Sequence, residues 1–374
     1  MTKGNSRTLM LTASLIAILS YSLARIIANG EPIFHLFPNI LFLSPLSDHA
    51  HKFYVDPLTI LPDKREHERI KEIQADDYSY ELMKKVTENF SKPAIVKGLF
   101  SNTTAAMNWK KPGYLKNKLG DMNIAVYTQI FAKDAYLTNM SKLVSLPGGE
   151  VVEDIITNEK SNLRFVFPQF ALDEFNTTDP VALAAKSDEL VEELGLHRVR
   201  EGWGKKNHIN YIGQQFFIGR GLKDELSYKG VGWHTEPGNN WFIQVIGKKR
   251  WYVMAPQHSA LMRPIKRTSR LIRPSYPDQI EKYEERFPVL YGDLEAGDMI
   301  FNPEWYWHKT KLFPGPSISV PMREIYPFRN FRSSAFFTIR FCLSVPFEMS
   351  AASYIGKVMK KIAGFSLRNE KSNL

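Results

Sequence analysis

Residues 9–24 form an apolar run without a charged position, and extending it to Ile27 adds only Arg25. That length approaches the roughly 17–25 residues a helix needs to cross a bilayer. Lys3 and Arg7 precede the run, so the positive-inside rule puts the N-terminus in the cytosol and the bulk of the chain on the lumenal side, in the endoplasmic reticulum or Golgi. A cleaved signal peptide is the competing reading, because Ser22 and Ala24 make a small-x-small pair. The apolar region of a signal peptide spans only about 7–15 residues, so the greater length here predicts an uncleaved, single-pass transmembrane signal anchor over 9–28, behind a short basic segment, 1–8.

The pattern then breaks up. Residues 29–63 mix apolar positions with Pro32, Pro38, Pro45, Pro57 and Pro62, which predicts an irregular Pro-rich stem. Residues 64–200 read as a helical lead-in with the first strands. Asp77 is placed to cap a helix in which Leu82, Val86 and Phe90 recur every four residues, Lys92-Pro93 ends it, and Ala94-Ile95-Val96 follows as a short strand. A second helix is predicted over 180–194. From Asn210 onward, β-type runs over 211–218, 240–246, 250–254, 299–301 and 317–320 alternate with Gly and Pro and predict a barrel or jelly roll spanning 201–345. In 346–374, Ile355, Met359, Ile362 and Phe365 share a helical face opposite Lys357, Lys360 and Lys361, a basic amphipathic helix and tail. No internal repeat interrupts this order.

Composition narrows the chemistry. Of 374 residues, 13% are aromatic and 44% hydrophobic, enough to build a core and to exclude disorder as the main state. The single Cys342 excludes an intrachain disulfide and any multi-Cys zinc site, so metal chemistry must use His and carboxylates. The net charge of +10 is uneven: residues 263–273 hold Arg263, Lys266, Arg267, Arg270 and Arg273 with no acid, and residues 351–374 hold five bases against Glu370. Nine of the ten units therefore belong to one loop and the tail. The loop reads either as a solvated basic segment or as a rim that draws in an acidic substrate. Nucleic acid is not an expected partner. Asn89, Asn102, Asn139 and Asn176 each begin an N-x-[ST] sequon, which agrees with lumenal exposure although chance supplies about two.

The chemistry concentrates in Gly232-Trp233-His234-Thr235-Glu236-Pro237. Side chains two apart on a strand share a face, so His234 and Glu236 can aim at one ion. His308, 72 residues beyond Glu236, offers the third ligand. Two His and one carboxylate with open opposite positions is the arrangement of non-heme Fe(II) oxygenases. His49-Ala50-His51, in the stem without a nearby acid, reads as solvated.

Counting on from His234 gives Asn240, Gln244, Gly247-Lys248-Lys249-Arg250-Trp251 and Pro256, and then Leu294, Gly297, Asp298, Phe301, Pro303, Trp305, Trp307 and His308. This order resembles the JmjC and cupin-like family of 2-oxoglutarate oxygenases: H-x-[DE], an Asn, a G-x-K hairpin and a distal L-x-x-G-D-x-x-F-x-P-x-x-W-x-H. Ser91 to Gly98 resembles the opening strand of cupin-like members, so the resemblance spans roughly residues 90–345.

The resemblance implies a mainly β fold with helical flanks, a double-stranded β-helix (jelly-roll, cupin/JmjC-type), here with one N-terminal transmembrane helix. It also implies that His234, Glu236 and His308 bind Fe(II), that Lys249 on the returning strand of the hairpin pairs with the distal carboxylate of 2-oxoglutarate, and that Asn240 donates to the carboxylate nearer the metal. A buried dianion needs such a cation. The implied reaction uses O2, with ascorbate as reductant, to couple decarboxylation of 2-oxoglutarate to succinate with hydroxylation of a protein or peptide substrate. Glu at 236 is tolerated in the family. Two departures are Val231, where a hydroxyl often reaches the co-substrate, and Pro321, near a position that is often polar; Tyr211 is a candidate replacement donor. Asp298 takes the family's structural turn position. Two rival readings remain, an inactive cupin-fold binding protein and, if the N-terminal segment does not insert, an RNA-modifying oxygenase. Self-association is left open.

Overall fold

The computed structural model describes residues 62–127, 143–161, 163–167, 188–199, 211–214, 216–221, 232–262, 264–265, 272–274, 280, 282–334 and 337–338. Of these, residues up to 333 belong to one compact unit, 57–333, and residues 334, 337 and 338 to another made of 1–56 and 334–374. The predicted anchor, the stem as far as residue 61, the first part of the second helix (180–187) and the C-terminal helix lie outside the described residues. Among the described residues no helix is long and apolar enough to cross a membrane.

Sixteen strands are described: β1 (Glu68–Arg69), β2 (Lys71–Gln74), β3 (Ala94–Lys97), β4 (Asn123–Tyr127), β5 (Leu143–Pro147), β6 (Arg164–Phe167), β7 (Tyr211–Gln214), β8 (Phe216–Gly221), β9 (Asn239–Ile246), β10 (Lys249–Met254), β11 (Pro264–Ile265), β12 (Arg273–Pro274), β13 (Leu290–Leu294), β14 (Met299–Asn302), β15 (Trp307–Leu312) and β16 (Gly315–Glu324). The chain is mainly β. A ten-stranded sheet runs β2-β3-β14-β9-β16-β8-β6-β4-β5, with β7 also paired to β16; a four-stranded sheet runs β1-β13-β10-β15. Helices α1 (Tyr80–Val86), α2 (Thr104–Asn108), α3 (Tyr114–Leu119) and α4 (Gly148–Thr157) precede the central strands, with α5 (Ser259–Met262) and α6 (Pro327–Ser333) later.

The period-two rule for strands explains how the large sheet is buried on both faces. On β9, Trp241, Ile243 and Val245 join one core with Met83, Phe90, Leu115, Val152, Val320 and Met322. Phe242, between them, joins a second core with Ile95, Trp251, Val253, Leu294 and Ile300. The second core lies between the sheets, since Trp251 and Val253 come from β10 while Phe242 and Ile300 come from β9 and β14. Truncating Phe242 would cost about 3–5 kcal/mol by transfer and cavity terms together. Asn240 and Gln244 share Phe242's face, which makes the space between the sheets polar at intervals.

Three expectations need correction. The α1 cap is Ser79, whose Oγ accepts from Leu82 N at 3.0 Å, while Asp77 sits in the preceding 3-10 turn. The helix also stops at Val86. Thr87 Oγ1 donates to Met83 O at 2.7 Å and accepts from Phe90 N at 3.0 Å, and Glu88, Asn89 and Phe90 follow in left-handed conformation, so Phe90 reaches the core from a turn. Last, the Gly247-Lys248 segment is no hairpin: β9 pairs with β14 and β16, whereas β10 pairs with β13 and β15. It is a corner that carries the chain from the large sheet to the small one.

Candidate active site

The two histidines predicted as ligands stand side by side. His234 and His308 form an antiparallel bridge, His234 N donating to His308 O at 3.0 Å and His308 N to His234 O at 2.8 Å, with ring centroids 4.1 Å apart. In the β10–β15 ladder His308 is opposite Val253, so it points at the inner face with Val253, Trp251 and Lys249. Trp251 stacks on His308 at 5.2 Å with the rings 15° from parallel.

Each imidazole is oriented from its own segment. His234 Nδ1 meets Gly232 O at 2.8 Å and His308 Nδ1 meets Tyr306 O at 3.0 Å, with Asn302 Nδ2 at 3.3 Å from the same nitrogen. A carbonyl acceptor at Nδ1 fixes the Nδ1–H tautomer and leaves Nε2 as the lone-pair donor; among the described residues neither Nε2 has a hydrogen-bond partner. Burial, followed by the nearby His308 and Arg273, holds the pKa of His234 well below its ordinary 6.5. Burial likewise lowers His308, partly opposed by the Glu236 charge. Both rings are therefore neutral near pH 7, the form that binds metals.

Glu236 is buried beside them, but its carboxylate is engaged elsewhere. Asn240 Nδ2 donates to Oε1 at 3.1 Å and Arg323 Nε to Oε2 at 2.9 Å. Among the described residues no three His, Cys, Asp or Glu side chains form a group that could hold a metal ion. The donor types nevertheless fit a divalent cation such as Fe(II). Two neutral imidazoles offer Nε2, and each carboxylate oxygen, accepting the one bond described above, keeps a further lone-pair site. The contact with Arg323 is the feature the sequence did not anticipate.

Lys249, 6% exposed, lies farther along the same face. Its Nζ donates to Ser319 Oγ at 2.7 Å and stands 4.6 Å from the Phe242 ring centre. Gln244 Nε2 donates to Ser317 Oγ at 3.0 Å and to Ile246 O at 2.6 Å. Asn240 Oδ1 and Gln244 Oε1 are buried without a hydrogen-bond partner. Both belong to the inner face of β9. Orphaned buried acceptors are costly, which marks this as a space that receives polar groups.

Ser319 and Arg323 escaped the sequence reading, although Ser317, Ser319, Pro321 and Arg323 occupy alternate positions of β16 and share its inner face. The signal was there at period two. Asp298 has a structural role: its carboxylate accepts from Gly98 N at 2.8 Å and Glu295 N at 2.7 Å and pairs with Lys97. Arg273, expected on an exposed basic rim, is 8% exposed and lies in β12; Arg263, Lys266, Arg267 and Arg270 lie outside the described residues, as does Val231. Tyr211 lies in β7 opposite Glu324, and its side chain is not among those described.

A search against curated proteins finds no match to the chain. The model of the cupin-like domain family matches residues 81–322, a span that contains His234, Glu236, Lys249 and His308 and nearly all of both sheets. On that match, with the strands it covers forming two facing sheets, the chain belongs to the cupin-like domain family.

Proposed function

We propose that the protein is an Fe(II)- and 2-oxoglutarate-dependent oxygenase with a double-stranded β-helix core, which hydroxylates a protein or peptide substrate. One observation carries the reading: two neutral imidazoles, oriented through Nδ1 by backbone carbonyls, share an inner sheet face with a buried lysine held by a serine hydroxyl. When bound, iron and 2-oxoglutarate supply the oxidising chemistry, decarboxylation to succinate coupled to hydroxylation. The chain does the rest. His234, Glu236 and His308 hold the metal, and Lys249, kept in line by Ser319, offers a cation to the far carboxylate of the co-substrate. Asn240 orients Glu236, and Trp251, Phe242 and Ile300 exclude water. A lysine beneath a dianion offsets a desolvation cost of several kcal/mol per charge.

The test is succinate release from 2-oxoglutarate with Fe(II), O2 and ascorbate, compared with His234→Ala. The wild type should bind Fe(II) and release succinate, and His234→Ala should do neither. A wild type that neither binds Fe(II) nor decarboxylates would sink the reading. The clasp on Glu236 favours a second one, a barrel that binds a ligand without turnover, and the same assay separates the two.

We infer further that residues 9–28 anchor the enzyme with its catalytic part in the secretory lumen. Asn89 and Asn102 are exposed on the fold, as glycan acceptors must be. Glycosidase treatment of protein from secretory-competent cells should increase its mobility, and Asn89→Gln with Asn102→Gln should remove part of that shift. An unglycosylated protein would argue for cytosolic exposure.

A further inference from the structure

One helix meets both of the segments that carry the proposed ligands. The buried Asn330 of α6 donates from Nδ2 to Pro237 O at 2.6 Å, and its backbone O accepts from Trp305 Nε1 at 3.2 Å. Pro237 follows Glu236 directly, and Trp305 lies three residues before His308. The two segments also hold each other: Trp305 N donates to Glu236 O at 2.9 Å and Glu304 N to Asn239 Oδ1 at 3.1 Å. The neighbours of Asn330 grip the second segment again, Arg329 pairing with the Glu304 carboxylate at 3.2 Å and Ser333 Oγ donating to Glu304 O at 3.3 Å.

We propose that Asn330 is a positioning residue for the metal site: it sets the spacing between the His234–Glu236 segment and the segment leading to His308, so that the three side chains can reach one ion. The inference rests on the oxygenase reading and adds to it a residue that acts only through Pro237 and Trp305. Two features carry it. A carbonyl oxygen only accepts, so the Pro237 bond fixes Nδ2 as the atom that faces it and gives the Asn330 amide a single orientation. Trp305 has φ +63, in the left-handed region where a bulky side chain is strained. Such a conformation persists only where its surroundings over-determine it, and here Glu236 O and Asn330 O hold the backbone N–H and the indole of the same residue. The strain thus sits between two proposed ligands, bonded to the main chain of one and three residues before the other, where small displacements matter most to a bound ion.

The experiment compares the full wild-type chain with Asn330→Asp, which keeps the shape and sets an acceptor against the Pro237 carbonyl while the backbone bond to Trp305 stays in place. Hydrogen exchange of the metal-free proteins should be faster in the variant over residues 232–239 and 303–308 and unchanged over 123–127. On titration with Co(II), the variant should bind roughly tenfold more weakly. Its Co(II) absorption bands in the visible should differ in position or intensity, the signature of an altered coordination geometry. Asn330→Ser, too short to reach Pro237, takes its place if the carboxylate prevents folding. Ser79→Ala, which removes the α1 cap, controls for general destabilisation and should match the wild type in exchange over both segments and in its Co(II) spectrum. Unchanged exchange, a Co(II) affinity and spectrum equal to wild type, or the same losses in Ser79→Ala each overturn the role. A wild type that binds no Co(II) sinks the oxygenase reading instead, and the exchange measurement, which needs no metal, still decides whether Asn330 holds the two segments together.

Discussion

Arg323 Nε donates to Glu236 Oε2 at 2.9 Å, across the carboxylate from the Asn240 amide at 3.1 Å. A metal at the two histidines must share Glu236 with a guanidinium. A divalent ion bound to the same carboxylate as a guanidinium would be repelled by it, by several kcal/mol at close range even with strong screening. Arg323→Gln keeps hydrogen-bonding capacity and removes the charge. We expect this variant to bind Co(II) at least tenfold more tightly than the wild type, read by calorimetry on metal-free protein. Weaker binding would mean that the arginine holds the carboxylate in its ligating pose.

Ser319 stands under Lys249, and its loss removes an acceptor while leaving the cation in place. Ser319→Ala is expected to raise the KM for 2-oxoglutarate a few-fold with kcat little changed, because the ammonium loses its fixed position but keeps its charge. Lys249→Ala, which leaves a buried dianion without its partner, should raise KM by well over tenfold. Steady-state succinate release over a range of 2-oxoglutarate concentrations separates the two.

Gly247 makes the corner between the sheets. It has φ +79, and a Cβ there would lie 2.2 Å from Pro316 O. Both the conformation and the backbone contact oppose any side chain. Gly247→Ala should therefore destabilise the protein by about 2–4 kcal/mol, read as a lowered denaturant midpoint. An unchanged midpoint would show that the corner can shift as a unit.

The sequence made parts of this arrangement legible and hid others for physical reasons. The apolar, β-branched and aromatic runs of β9 and β10 announced themselves within one residue of their ends, because β9 is buried on both faces and β10 on its inner one. β15 did not. Its residues Trp307-His308-Lys309-Thr310-Lys311-Leu312 read as polar, yet Lys309 is 4% exposed, paired with Glu284 and lying 5.6 Å from the Trp233 ring centre and 4.7 Å from that of Tyr252. A charge that finds such partners is invisible to hydropathy. β16 was cut short at Val320 because a proline inside a sheet argues against a strand. Pro321 nonetheless sits opposite Phe242, beyond a register shift at Ile318/Ser319, and the strand continues through Arg323 to Glu324. That His234 and His308 lie side by side with Glu236 near them could be anticipated because their spacing is chemical, whereas the clasp on Glu236 depended on a strand end that the proline concealed.

On the outer face of the small sheet, Arg250 forks onto Asp293, with Nε to Oδ1 at 2.6 Å and Nη2 to Oδ2 at 2.8 Å. Those bonds hold the Asp293 carboxyl below its ordinary 3.8, against a smaller opposing effect of burial. A carboxylate with a depressed folded pKa stabilises the native state above its unfolded value and loses that contribution as the pH falls through the folded one. The stabilisation is thus complete at neutral pH and declines below about pH 4. Arg250 is 34% exposed and Asp293 19%, so solvent screening limits the pair to about 1 kcal/mol even with bidentate geometry. Asp293→Asn should then lower the Tm by roughly 2–4 °C at pH 7. The gap between variant and wild type should close as the pH falls further and the wild-type carboxyl takes up its proton through its lowered pKa. Thermal denaturation followed at several pH values checks both parts, and a gap that persists undiminished in acid would assign the cost of the substitution to packing instead of charge.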